Sequence, residues 1–309
     1  MLKNKHLLGL ENTPAEDIQM IIDTAFRFRE VLERPIKKVP SLQGKTIVNL
    51  FFENSTRTRI SFELAQKRLS ADTVNFSAST SSLKKGETFK DTAQNIEAMK
   101  IDAVVMRHPT PGAPLHLTKH IDSIVINAGD GTHEHPTQAI LDMMSLHEVF
   151  GKINGLKIGI LGDISHSRVA LSNIFGLIKM GAEVTLCGPP TLIPPYIQDL
   201  GVKINHNVDE VLEWADAVNI LRIQMERMGV GLFPSIREYR KLFGITEERV
   251  KRLKKEVIIM HPGPINRGVE IDSQVADSEQ AIILDQVLNG VASRMAILYL
   301  YLGGKSELN

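Results

Sequence analysis

The chain has 309 residues, 43% of them apolar, with Lys+Arg and Asp+Glu at 36 each. That length is enough for about two domains, each with a core of its own, and the balanced charge gives no overall attraction to nucleic acid or a membrane surface, so any anion site has to be built locally. The single Cys187 excludes an internal disulfide and fits a reducing compartment; the N-terminal apolar stretch is too short for a signal peptide, and no run of about 18 apolar residues occurs. A soluble, cytoplasmic chain is expected.

Thr13, Pro14 and Glu16 have the spacing of a capping box with Pro at the first helical position. Ile18, Ile21, Ile22, Ala25, Phe28 and Leu32 then fall on one helical face. After a loop from Pro35 to Gly44, the apolar run Thr46–Phe52 reads as a strand, and Ile60, Leu64 and Leu69 restart helical spacing.

Between them lies Glu53-Asn-Ser-Thr-Arg-Thr-Arg59. Ser55 or Asn54 is expected to cap the helix, leaving the first backbone N–H groups beyond the strand end to bind an anion. Two arginines in a first turn, Arg57 and Arg59, oppose the helix dipole at a cost of about 0.3–1 kcal/mol each. Their presence points to a negative ligand between them, with phosphate the first candidate; solvated arginines beside an ordinary cap are the alternative.

Residues Ala71–Phe76 read as a short second strand, followed by the polar stretch Ser77–Glu87 with Lys84 and Lys85 at its tip. A helix with Phe89, Ala93 and Ile96 inward leads to the strand Asp102–Met106, which runs into Arg107, His108 and Pro109. A charged residue at the carboxyl end of a buried strand is where open α/β sheets place ligand contacts. The strand Ser123–Asn127 precedes Thr132-His-Glu-His-Pro-Thr-Gln138, and Ile140, Met143, Met144 and His147 continue at helical spacing. His133 and His135 invite a metal reading, but no third ligand stands at a familiar spacing. His135 and Gln138, three residues apart at a helix start, suit a polarised carbonyl and its amide partner.

The pattern restarts near Phe150–Gly155, where a domain boundary is expected. Lys157–Leu161 is a strand, Gly162–Arg168 a tight turn, and Ala170, Ile174, Leu177 and Ile178 lie on the next helix. This is similar to the first unit of a dinucleotide fold, but the Gly-x-Gly-x-x-Gly spacing is missing and Glu183 opens its strand rather than closing it. Strand-helix units continue through Ala182–Cys187, a helix begun by Asn207 with Glu210 at its third position, and the strand Ala217–Leu221.

Arg222 and Gln224 follow that strand as Arg107 follows its own. Arg168 and Arg222 suit a substrate with two carboxylates, because a guanidinium fork matches carboxylate geometry; structural salt bridges are the alternative. The stretch Met225–Arg240 is poor in apolar residues and reads as a loop. Glu256–Met260 is a strand leading into His261-Pro-Gly-Pro264, where a cis peptide before Pro264 is expected. Ala281, Leu284, Leu288, Val291, Met295, Leu298 and Leu302 trace a long closing helix.

Taken together, Ser55–Arg59, Lys84–Glu87, Arg107–Pro109, His135–Gln138, Arg168, Arg222–Gln224 and His261–Pro264 resemble, in order and spacing over nearly the full length, the aspartate carbamoyltransferase catalytic chains of the aspartate/ornithine carbamoyltransferase family. Ornithine enzymes of the family usually place a cysteine after the late histidine, where this chain has Pro262. The resemblance implies an α/β protein of two domains, each a parallel sheet flanked by helices: residues 1–150 for carbamoyl phosphate, 151–285 for aspartate, and 286–309 as a C-terminal helix returning to the first domain.

The implied reaction carries the carbamoyl group of carbamoyl phosphate to the amine of L-aspartate, giving N-carbamoyl-L-aspartate and phosphate, the committed step toward pyrimidines. Ornithine or an N-acylated ornithine as acceptor is the alternative within the fold. A nucleotide-binding protein without chemistry is the alternative outside it. By resemblance, Ser55, Thr56, Arg57 and Thr58 hold the phosphate, and Arg107 reaches phosphate and carbonyl oxygen. His135 and Thr58 polarise the carbonyl, while Gln138 and the backbone carbonyls of Gly263 and Pro264 position the carbamoyl amide. Arg168, Arg222 and Gln224 take the aspartate carboxylates, and Lys85 arrives from the neighbouring subunit of a homotrimer. One serine of Ser79, Ser81 and Ser82 contacts phosphate. No metal or organic cofactor is implied, and the resemblance leaves open whether a regulatory or dihydroorotase chain joins the trimer.

Overall fold

The structure is a computed structural model that describes residues 2–77, 88–223 and 235–303. It divides into two compact units, one of Met1–Met144 with Leu288–Asn309 and one of Ser145–Val287.

In the first unit, helix α1 (Ala15–Glu33) buries Ile18, Ile21, Ile22, Ala25, Phe28 and Leu32, the stripe that spacing predicts. Its start differs from the expected capping box. Pro14 occupies the cap position without a side-chain bond, and the Thr13 hydroxyl donates instead to the carbonyl of Gly9 at 2.6 Å. Strands β1 (Thr46–Phe51), β2 (Asp72–Ser77), β3 (Ala103–His108) and β4 (Ile124–Asp130) form a parallel sheet in the order β2-β1-β3-β4.

Helices α2 (Thr56–Arg68), α3 (Phe89–Ala98) and α4 (Ala113–Leu117) are the crossovers, and α5 (Pro136–Phe150) follows β4. A core of Leu50, Ala93, Val104, Met106, Leu117 and Val125 fills the space between sheet and helices, with Phe89 and Ile96 packed against it. Parallel strands are covered on both faces by such crossovers, which is why they read as continuous apolar runs.

Helix α2 turns inward a face that only partly matches the one expected: Leu69 at its end is buried. Ile60 and Leu64 are 48% and 38% exposed, whereas Thr58, Phe62, Ala65 and Gln66 are buried. Gln66 decides the rotation: its amide exchanges hydrogen bonds with Asn49 of β1, donating at 2.7 Å and accepting at 3.1 Å. Two buried amides that satisfy each other avoid the penalty of an unpaired polar group, and they hold the helix on its strand.

In the second unit, strands β5 (Lys157–Leu161), β6 (Glu183–Cys187), β7 (Lys203–Ile204), β8 (Ala217–Ile220) and β9 (Ile258–Met260) form a parallel sheet in the order β7-β6-β5-β8-β9. Helices α6 (Arg168–Lys179), α7 (Val208–Trp214), α8 (Ile236–Phe243), α9 (Glu247–Arg252) and α10 (Ser273–Ala276) surround it. Asn207 caps α7 as expected, its oxygen accepting from Asp209 and Glu210.

The loop expected from Met225 to Arg240 gives way to α8 at Ile236, where Ser235 caps the helix by accepting from the N–H of Glu238. Helix α11 (Ile283–Tyr301) begins in the second unit and ends in the first. Its stripe starts later than expected. Ala281 precedes the helix and Leu284 is 81% exposed, while Val291, Met295 and Leu298 are buried. No described helix is long and apolar enough to cross a membrane.

Candidate active site

Each sheet contains one point where the chain leaves a strand toward one neighbour and later returns on its other side. In the first unit this lies between β1 and β3, and in the second between β5 and β8. Connections at such a point diverge to opposite faces of the sheet and open a crevice beyond the strand ends.

In the first unit, α2 starts four residues beyond β1 with Ser55 at its cap position, backbone extended at φ −155° and ψ 95°. The Ser55 side chain makes no cap bond, so the side-chain cap expected from Ser55 is absent. The N–H of Arg59 closes the first turn on the carbonyl of Ser55 at 3.2 Å. N–H groups earlier in a helix have no acceptor within it, which makes its start a seat for an anion. Arg57 is exposed and Thr58 buried.

Arg107 lies opposite Phe51 in the β1–β3 register. Its guanidinium donates to the carbonyl of Ala128 on β4 at 3.1 Å and to Glu53 Oε1 at 3.2 Å. The arginine therefore spans the carboxyl ends of neighbouring strands, and Glu53, which sequence reasoning missed, supplies a countercharge.

The turn before α5 is held by Asp130. One carboxylate oxygen accepts from the Asn127 amide at 2.7 Å and from the N–H of Glu134 at 3.1 Å; the other accepts from Gly112 at 2.7 Å. Glu134 in turn accepts from the N–H groups of Leu10 and Glu11 at 2.8 and 3.1 Å. His133 is drawn to Asp130, 3.1 Å from Oδ2, and this bond raises the imidazole pKa above its usual value. His135 and Gln138 are both buried. Gln138 donates from Nε2 to Asp142 Oδ1 at 3.0 Å. A carboxylate only accepts, so Asp142 selects the NH2 end of the amide and leaves the carboxamide oxygen to face a donor.

In the second unit, Arg168 opens α6 after the turn that follows β5, and it is buried. Ser167 caps that helix by accepting from Ala170. Arg222 follows β8 and is half-buried. The two strand ends are joined by the N–H of Leu221 donating to Leu161 at 2.7 Å. Gly162, with φ at +122°, leaves room where a Cβ would lie 3.0 Å from the carbonyl of Leu221.

After β9 the peptide Gly263–Pro264 is cis. The loop is braced by Asn266, whose amide donates to the carbonyl of Ile223 at 3.1 Å, beside Arg222, and whose N–H donates to Glu270. Lys85 and Gln224, with Ser79, Ser81 and Ser82, lie outside the described residues. The first unit thus carries Ser55, Thr56, Arg57, Thr58, Arg107, His135 and Gln138 on the connections after its parallel strands, and the second carries Arg168, Arg222, Gly263 and Pro264 in the same way.

Residues 5–148 match the family model "Aspartate/ornithine carbamoyltransferase, carbamoyl-P binding domain", and residues 154–301 match "Aspartate/ornithine carbamoyltransferase, Asp/Orn binding domain". The chain is 61% identical over 304 residues to the aspartate carbamoyltransferase catalytic subunit of Cytophaga hutchinsonii, covering 98% of this chain and 99% of the relative. It is 63% identical over 295 residues to that of Christiangramia forsetii, covering 96% and 95%. Its fold superposes on the crystal structure of aspartate transcarbamoylase from Trypanosoma cruzi in complex with N-(phosphonacetyl)-L-aspartic acid, with a TM-score of 0.88, 32% identity and 96% of each chain covered. With both of its halves matched and identity of this order along nearly its whole length, the chain belongs to the aspartate/ornithine carbamoyltransferase family.

Proposed function

We propose that this chain is the catalytic chain of an aspartate carbamoyltransferase, transferring the carbamoyl group of carbamoyl phosphate to the amine of L-aspartate and releasing phosphate. The observation that carries this reading is the near full-length identity of 61% to a relative that bears that name. It is supported by Arg168 and Arg222 standing after adjacent strands of one sheet, since an acceptor with two carboxylates calls for two such cations and a cationic ornithine side chain would be repelled by them.

The phosphate of carbamoyl phosphate sits at the start of α2, among Ser55, Thr56, Arg57 and Thr58, with Arg107 shared between it and the carbonyl oxygen. His135 and Thr58 donate to that oxygen. The amide NH2 is held by Gln138 and the carbonyls of Gly263 and Pro264, while Arg168, Arg222 and Gln224 hold aspartate. The amine nitrogen forms a bond to the carbamoyl carbon, negative charge moves onto the carbonyl oxygen, and the carbon–oxygen bond to phosphate breaks. The departing phosphate takes the proton from the amine. The barrier falls because donors are fixed where charge develops, each worth about 3–4 kcal/mol, and because amine and carbon are held in contact.

A cytoplasmic homotrimer belongs to the same reading, with Lys85 completing the site of its neighbour. Purified protein given carbamoyl phosphate and L-aspartate is expected to release phosphate, with none released when ornithine or N-acetylornithine is the acceptor. Turnover with ornithine and silence with aspartate would overturn it.

A further inference from the structure

Asn266 lies two residues beyond Pro264, and the reaction above assigns it no part. Its backbone is committed to its own loop: the N–H donates to the buried Glu270, and the carbonyl accepts from the N–H of Val269 at 3.0 Å. Its half-buried side chain reaches out of that loop. Nδ2 donates to the carbonyl of Ile223 at 3.1 Å, across 43 residues of sequence. Ile223 stands between Arg222 and Gln224 in the chain. One amide therefore joins the connection that carries Gly263 and Pro264 to the connection that carries the residues assigned to aspartate, both within the second unit.

The sheet shows why such a tie matters. Strands β8 and β9 pair from Ala217 with Ile258 to Asn219 with Met260, and the register ends there. Ile223 and Asn266 both lie beyond the last pair, where the two chains follow separate connections and the ladder no longer fixes one against the other. The turn itself is held on its own side: the N–H of Gly263 donates to Nδ1 of His261 at 2.7 Å, and the N–H of His261 donates to Oε1 of Gln286 on α11 at 2.9 Å. The Asn266 amide sets its offset from Ile223.

A hydrogen bond from a half-buried amide adds only modestly to stability, because water serves the same groups in the unfolded chain. Its geometric effect is larger. Reacting atoms need to be held about 3–3.5 Å apart, and a misplacement of about 1 Å costs on the order of a hundredfold in rate.

We propose that Asn266 is a positioning residue that fixes the register between the turn at Gly263 and Pro264, which holds the carbamoyl amide, and the segment at Arg222, which holds aspartate. This rests on the reading that those residues contact the two substrates. Loss of the Asn266 donor leaves each set of contacts in place and misaligns the amine with the carbamoyl carbon. The loss then falls on kcat rather than on either binding step.

The test uses the full-length enzyme. Asn266→Ala is expected to lower kcat about 10–100-fold, while KM for aspartate and calorimetric binding of carbamoyl phosphate each stay within about threefold of wild type. Asn266→Asp, which keeps the shape but turns only acceptors toward the Ile223 carbonyl, lowers kcat at least as far. In the Arg222→Gln background, where aspartate has lost its anchor on this segment, Asn266→Ala costs less than about threefold more. A purely structural role would add its full loss in both backgrounds.

Thermal melting confirms the fold of each variant, and if Asn266→Ala does not fold, Asn266→Asp carries the same comparison. A kcat within about twofold of wild type in the folded variant overturns the positioning role, as does a rise in both substrates' dissociation with kcat intact. An equal further loss in the Arg222→Gln background overturns it too. A normal KM for aspartate in Arg222→Gln alone instead overturns the reading of Arg222, and the register with it.

Discussion

The backbone N–H of Gly263 donates to Nδ1 of His261 at 2.7 Å, which leaves the ring proton on Nε2, 3.3 Å from Glu270 Oε1. Glu270 also accepts from the N–H of Asn266, so a single buried carboxylate closes the turn that carries Gly263 and Pro264. Glu270→Ala is expected to destabilise the protein by about 1–3 kcal/mol, the cost of leaving buried donors without an acceptor. Glu270→Gln, whose amide oxygen still accepts, recovers part of that loss. Urea unfolding of both variants measures it, and carbamoyl phosphate affinity should fall in the same order. Equal stability of wild type and Glu270→Ala would show that the turn holds itself.

His135→Ala tests the donor to the carbonyl. A preorganised donor that acts where charge develops changes kcat more than binding, by about 10²–10³-fold. Phosphate release under saturating substrates is expected to drop by that factor, while calorimetric binding of carbamoyl phosphate changes less than about tenfold. A loss in binding with kcat intact would move His135 from chemistry to substrate capture.

Arg168 and Arg222 belong to the second unit, and their replacement separates the substrates. Arg168→Gln and Arg222→Gln are each expected to raise KM for aspartate about 10–100-fold, as for loss of a charged hydrogen-bonded pair. Binding of carbamoyl phosphate alone stays as in the wild type. Comparable weakening of both substrates would place these arginines in structural ion pairs.

Assembly is tested by mixing. If Lys85 serves a neighbouring chain, inactive Lys85→Ala and inactive Arg57→Ala proteins regain activity after subunit exchange, because hybrid trimers contain sites with neither substitution. No recovery after exchange verified by mass would mean that each site is made within one chain.

Cys187 is buried, and burial pushes its thiol pKa up to about 12, with Arg249 opposing and Asp209 adding to the shift. At pH 8 only about one thiol in ten thousand is ionised, and the thiolate is the reactive form. Native protein is therefore expected to resist alkylation by iodoacetamide and to label fully in urea. Stoichiometric labelling of the native form within minutes would show that the segment around β6 opens readily.

Much of the architecture was legible from local pattern. The stripe from Ile18 to Leu32 specifies a helix, and the apolar runs Thr46–Phe52 and Lys157–Leu161 specify buried strands, because 3.6-residue and continuous-run patterns arise from backbone geometry alone. Ser55 at a helix start and Arg107 near a strand end were placed the same way.

What the pattern could not decide was which of two stripes turns inward. On α2 it suggested Ile60 and Leu64, yet Gln66 is buried and they are not, because only the reciprocal bond with Asn49, 17 residues away in sequence, makes an amide the cheaper group to bury. Thr13 was likewise drawn from its helix by Gly9. The groups that contact the candidate site residues show the same limit: Glu53, Asp142 and Glu270 are ordinary charged residues in sequence. Periodicity and motif spacing are properties of neighbouring residues, so pattern alone set the longer strands and helices and the order of the candidate site motifs, while the short β7, α4, α9 and α10 and the start of α8 were not read from it. Which charges are buried, and against what, depends on segments up to 233 residues apart, as with Ser61 and Arg294, and was decided only when the chain folded.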